Sequence, residues 1–177
     1  METKKLFEGD YLRLLSNRGW EYVERLTGKH VVYIIPVTKN SLGEAELVFI
    51  REYRIPLDNY VIGFPAGLVG DVSENEDIRE AAMRELEEET GYKAGQLTHL
   101  MSGPSSSGLS TEQIHFFLAT DLDKVGEGGG DETENIDTIN IPLHEAEEQL
   151  TDLARHNQHE IDIKSYIGLY WVKRLMW

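Results

Sequence analysis

The chain has 177 residues, 40% of them apolar and 28% charged, which suits one soluble globular domain with a real core. Its 17 basic against 32 acidic residues leave a net charge of −15, which disfavours broad electrostatic binding to nucleic acid or an anionic membrane. No apolar run is long enough to span a bilayer, the first residues lack a secretory h-region, and the absence of cysteine excludes disulfides, thiolate metal sites and cysteine nucleophiles, so a reducing, cytoplasmic setting is expected.

Residues 1–19 are polar with a short Leu12, Leu14 and Leu15 patch, and read as an arm with one strand. Residues 20–26 alternate Trp, Tyr and Val with Glu and Arg, a half-buried strand. Residues 31–37 and 47–53 are β-branched, apolar strands joined by a turn at 40–43, and so form a hairpin. After a loop at 56–59, a short strand at 60–64 runs into Pro65-Ala66-Gly67. Residues 71–90 carry the clearest helical pattern: Ile78, Ala81, Ala82, Leu86 and Thr90 form a stripe, Ser73 and Glu76 suggest a capping box, and Gly91 stops the helix. Strands follow at 97–101, 114–120 and 136–141, with a glycine-rich stretch at 126–131. Pro142 is placed to open a helix reaching about Arg155, and residues 161–175 form a last apolar, aromatic helix. No repeat or linker divides the chain, and this element order predicts a mixed sheet between helices.

The chemistry concentrates at 70–90, where nine acids face two bases. Glu85 and Glu89 are four residues apart and Glu88 is three from Glu85, so all three share one helix face with Cβ atoms roughly 5–6 Å apart. Acidic runs usually mark a solvated face, but hard oxygen donors grouped this way suit Mg²⁺ or Mn²⁺, which keep some waters and bridge to phosphates. Arg84 is within reach of Glu80, Glu76 and Glu88 and is expected to orient carboxylates. No Gly-x-Ser-x-Gly elbow surrounds Ser105 to Ser107, and no Walker or Rossmann glycine pattern occurs. His156 and His159 read as surface histidines, and His115 as a sheet histidine.

The spacing Gly70-x5-Glu76-x7-Arg84-Glu85-Leu86-x-Glu88-Glu89-x-Gly91-Tyr92 resembles the Nudix box at every fixed position, with Tyr92 in place of the usual aliphatic residue. Arg51-Glu52-Tyr53-Arg54, Phe64-Pro65-Ala66-Gly67 and Ser106 to Glu112 extend the likeness to the ADP-ribose and nucleoside diphosphate sugar pyrophosphatases of the Nudix hydrolases. That resemblance implies an α/β Nudix sandwich (α/β/α, mixed sheet) with an N-terminal β extension. Residues 1–44 would form the strands and dimerisation extension, and 45–177 the hydrolase domain. It implies Glu85, Glu88 and Glu89 as metal ligands with a backbone carbonyl, mapped to Ala66 by motif or to Val69 by strict spacing. Glu88 and Arg84 would also act in catalysis. Glu132 maps to the general base, and Glu134 to a further metal ligand or alternative base. Arg54 and Arg51 could grip phosphates; Trp20 and Tyr22 could stack on a base or serve only in packing. The expected cofactor is Mg²⁺ (or Mn²⁺), the partners a nucleotide-sugar substrate and a second copy of the chain. The ADP-ribose enzymes carry a proline where this chain has Ser107, with Pro104 out of register, which favours other nucleoside diphosphate sugars. ADP-ribose hydrolysis, and a nucleotide-sugar sensor without turnover, are the alternatives.

Overall fold

The computed structural model describes residues 2–71, 73, 75–130, 135–156 and 159–176. Three strands, β1 (Lys4–Glu8), β2 (Leu12–Asn17) and β3 (Trp20–Arg25), form a separate antiparallel sheet in the order β1-β2-β3. The arm at 1–19 thus holds two strands rather than one. The charged residues that made it look irregular lie along an exposed ladder whose Arg13 and Glu24 pair across β2 and β3. This sheet is tied to the rest through β3: Val23 N–H donates to the Leu109 carbonyl (2.8 Å) and Thr111 N–H to that of Val23 (3.2 Å).

The large sheet is built on β4 (His30–Lys39) and β5 (Ala45–Arg54). They pair antiparallel only near their shared turn, at Val37–Leu47, Thr38–Glu46 and Lys39–Ala45. Beyond that they part. The first half of β4 pairs with β7 (Ala66–Leu68) and, in parallel, with β9 (Gln113–Lys124). The second half of β5 pairs with β6 (Asn59–Gly63), and β10 (Ile136–Pro142) pairs with β5 from Glu46 to Glu52. β8 (Tyr92–Pro104) edges β9, and β11 (Glu160–Ile161) runs parallel to β6. β4 lies inside the 1–44 segment yet belongs to this sheet.

β4 is buried on both faces, so its alternate residues feed two cores. Val32 and Ile34 pack with Ala81, Ala82 and Leu86 of α1 (Ile78–Thr90). Tyr33, Ile35 and Val37 pack with Phe49, Phe64 and Phe116, under α2 (Ala146–His156) and α3 (Lys164–Met176). α1 therefore sits on one side of the sheet and the late helices on the other.

Three boundaries differ from expectation. α1 starts at Ile78, with Asp77 as N-cap and Glu80 closing the capping box; Ser73 and Glu76 do not cap it, because Glu76 is held by Gly70 and Arg84. Pro142 ends β10 instead of opening α2, since its neighbours still pair with β5. Residues 160–161 extend the sheet before α3 begins at Lys164, with Asp162 capping that helix through Lys164 N–H (2.9 Å). Gly91 ends α1 as expected, in the left-handed region at φ 68°. No described helix is long and apolar enough to cross a membrane.

Candidate active site

Where β4 and β5 part, a cleft of about 730 Å³ opens between the two halves of the sheet. Tyr33, Glu52, Arg54, Ala66 and Gly67 line it from the strands; Arg84, Glu85 and Glu88 line it from α1, and Asp162 and Lys164 from the approach to α3.

Sequence pattern places the carboxylates. The stripe Ala81, Ala82, Leu86 seats α1 on the sheet, which turns Glu85 and Glu89 inward at the edge of the buried stripe, only 9% and 3% exposed. β7 is what they meet. Ala66 N–H donates to Glu89 Oε2 (3.1 Å). The Glu85 carboxylate lies directly over the Cα of Gly67, in the space any other side chain would need, so glycine is required there by contact. Ile34 N–H and the Pro65 carbonyl (2.9 Å) pin the same segment to β4. Val69 instead packs under α1, so within the described cleft it is Ala66 that stands beside the glutamates.

Arg84 ties the constellation together. Nε donates to Glu76 Oε1 (2.8 Å), one terminal nitrogen donates to Glu85 Oε1 (2.8 Å) and Glu88 Oε2 (2.9 Å), and the other to Glu76 Oε2 and the Leu68 carbonyl (both 3.2 Å). Glu80 is not among its partners; it caps the helix instead. Arg84 holds the Glu76 carboxyl below its ordinary range against the opposing effect of burial, helped by Gly70 N–H. Glu76 in turn raises the guanidinium further, with Glu85 and Glu88 adding to it. Glu88 is half exposed, the most open of the three helix glutamates.

The C-terminal turn of α1 is also fastened. Gly129 and Gly130 N–H donate to the Glu89 and Glu88 carbonyls (3.0 Å each), Lys124 Nζ donates to that of Thr90 (2.7 Å), and Val125 and Gly126 N–H donate to that of Gly91 (2.8 and 3.1 Å). Gly128, at φ 77°, lies so close to Glu89 and Thr90 that a Cβ would meet their backbone. The carbonyls a helix end leaves over are thus taken up by residues 124–130.

The donors available to a divalent cation are carboxylates and carbonyls only, the chemistry such an ion favours. Among the described residues no three acidic or histidine side chains close round one point. Arg84 bridges Glu85 and Glu88.

The remaining expectations divide. Arg54 lines the cleft, paired with Glu52 (2.8 Å). Arg51 is turned away, ion-paired with Asp137 and stacked on the Tyr60 ring at 5.0 Å. Trp20 is 65% exposed and Tyr22 half-buried; both stand on the N-terminal sheet, outside the cleft. Glu132 and Glu134 lie outside the described residues. His115 is a sheet histidine bonded to His30 (3.0 Å) and Ser102 (2.7 Å), its pKa lowered by burial and by those neighbouring histidines, His30 and His99. Tyr33, Glu52, Asp162 and Lys164 came to the cleft unannounced. Tyr33 was legible only as part of the apolar strand at 31–37.

Residues 28–162 match the NUDIX domain. The chain is 31% identical over 176 residues to the methanol dehydrogenase activator of Bacillus methanolicus, covering 96% of this chain and 91% of that one. It is 34% identical over 104 residues to the ADP-ribose pyrophosphatase of Bacillus subtilis (strain 168), covering 58% of this chain and 55% of that one. A crystal structure of an ADP compounds hydrolase superposes with a TM-score of 0.77 at 23% identity, over 99% of this chain and 92% of the other, which shows the shared fold.

Proposed function

The chain belongs to the Nudix family of hydrolases, and from that premise we propose that it hydrolyses the diphosphate bond of nucleoside diphosphate sugars with the help of a divalent cation, Mg²⁺ or in its place Mn²⁺. The observation that carries this reading is the buried Glu85–Glu89 pair set against Ala66 and Gly67 in the wall of an open cleft. Two buried carboxylates side by side favour a cation, and a diphosphate is the ligand that a cation-lined cleft of this acidity can accept.

Glu85, Glu88 and Glu89 would hold the cation, with the Ala66 main chain beside them. When bound, it neutralises diphosphate oxygens and acidifies a water. Arg84 keeps Glu85 and Glu88 in position from the second side. Arg54 turns from Glu52 to a phosphate oxygen. Glu132 takes the proton of the attacking water, and Glu134 serves as a further ligand or as the base in its place. Water adds to one phosphorus, the bridging P–O bond breaks, and a nucleoside monophosphate and a sugar phosphate leave. A cysteine-free chain fits a cytoplasmic place of work.

A homodimer is part of the proposal. The N-terminal sheet exposes Phe7 (67%), Tyr11 (80%) and Trp20 (65%), and within one chain Trp20, Tyr22 and Arg51 do not reach the cleft. In a dimer these aromatic residues would be covered and could stack on the base in the second copy's cleft.

A substrate panel in Mg²⁺ tests the reading. Release of monophosphate from GDP-, UDP- or ADP-sugars supports it; a large preference for ADP-ribose narrows it, as the Bacillus subtilis relative's name would suggest. Binding without product, or hydrolysis indifferent to chelator, would sink it.

A further inference from the structure

We infer that Lys164 is a substrate-binding residue whose ammonium holds a phosphate oxygen of the diphosphate from the wall of the cleft opposite α1. The inference rests on the proposed function.

Four basic side chains line the cleft: Arg25, Arg54, Arg84 and Lys164. Arg84 spends its donors on three glutamates and a carbonyl, so it cannot leave them without stranding buried charge. Arg25 is held by Glu112 (2.8 Å), beside the loop that fastens the N-terminal sheet. Arg54 is half exposed. Lys164 differs from all three. Its side chain is 28% exposed, and its Nζ bonds Asp162 Oδ2 at 2.5 Å.

Asp162 gives up only its Oδ2 partner when that bond opens. Its Oδ1 accepts the Lys164 backbone N–H (2.9 Å) and its carbonyl accepts Ser165 N–H (2.8 Å), so it stays satisfied as the cap of α3 when the ammonium swings away. The swing starts from a rigid base. Lys164 Nζ lies 5.2 Å from the centre of the Tyr33 ring. Tyr33 is 1% exposed, and its hydroxyl accepts Phe64 N–H (3.1 Å) and bonds the fully buried Ser165 (3.2 Å). A compact ammonium on a long stem, poised beside a carboxylate that can release it, suits a group that arrives and leaves with its charge. α3 and α1 lie on opposite faces of the sheet, so Lys164 and the helix glutamates address a diphosphate from two sides.

The test compares wild type with Lys164→Met and Lys164→Gln in steady-state hydrolysis, in calorimetric binding of methylenediphosphonate without turnover, and in Mn²⁺ binding followed by electron paramagnetic resonance. Both variants should raise KM and the diphosphonate Kd about tenfold or more. Mn²⁺ affinity and the melting curve should stay near wild type, because Asp162 keeps its cap. Lys164→Arg should restore part of the binding. A diphosphonate Kd within twofold of wild type in either folded variant overturns the inference. If wild type hydrolyses no diphosphate sugar, the proposed function fails, and the diphosphonate measurement still decides the role of Lys164.

Discussion

The edge where α1 meets β7 and the N-terminal sheet are both rich in charge, yet they are built in opposite ways. In the first, Glu85 and Glu89 are buried, one guanidinium ties together three glutamates, and a glycine yields its side-chain space to a carboxylate. In the second, β1 is exposed throughout and Leu15 alone among residues 4–25 is buried, while charges pair on the surface, as Lys5 does with Glu8. Surface pairs of this kind contribute about 0–1 kcal/mol each. The second leaves Phe7, Tyr11 and Trp20 open to water. Under the proposed function, buried charge marks the site, and exposed apolar surface the face a second copy would cover.

Substitutions can break that contrast. The largest effect is expected from Glu89→Gln, which removes one buried anionic donor while keeping shape: turnover should fall by about 100-fold or more and Mn²⁺ affinity should drop, with the circular dichroism unchanged. Wild-type turnover in that variant would remove Glu89 from the site. Gly67→Ala should come next. Its methyl displaces the Glu85 carboxylate, so activity should fall by about tenfold to 100-fold with a loss of stability of about 1–3 kcal/mol in denaturant melts. A fully active Gly67→Ala would mean that Glu85 has room to spare.

Changes on the N-terminal sheet sharpen the contrast from the other side. Phe7→Ser should leave monomer stability within about 0.5 kcal/mol, since the side chain is exposed. If the sheet covers a second copy, sedimentation should show the dimer weakened. An unchanged sedimentation coefficient at all concentrations would count against that interface.

Acid gives the smallest effect and reaches both regions. Glu24 is held below its ordinary value of 4.5, first by Lys29 and then by Arg13, and Glu76 likewise by Arg84. A lowered folded-state value adds stability that is fully present above about pH 4.5 and is lost as pH falls through the folded value. Glu76→Gln and Glu24→Gln should each flatten the decline of Tm below that pH. A slope equal to wild type in both would show that neither pair is coupled to folding.

Much of the molecule was legible because its signals are local. The helical stripe and Gly91 fixed the end of α1 and the shared face of its glutamates, and the β-branched, apolar runs at 31–37 and 47–53 marked the central strands. What escaped depends on residues far apart in the chain. Glu76 fitted a capping pattern, but Arg84, eight residues on, recruits it, and the helix starts two residues later than that glutamate. Arg51 fitted a phosphate grip until Asp137, 86 residues away, took it. The wall formed by Asp162 and Lys164 was invisible because a two-residue strand leaves no periodicity to read.

The turn after α1 has a practical consequence. Four of its amides are already spoken for: Val125 and Gly126 are matched to the Gly91 carbonyl, Gly129 to that of Glu89 and Gly130 to that of Glu88. Inserting even one amino acid between Lys124 and Gly130 would shift that pairing out of phase and disturb the glutamates from behind. Anyone adding a fluorophore or an affinity handle should spare this stretch and use the exposed bend around Leu42, which is 82% open to water and remote from the cleft.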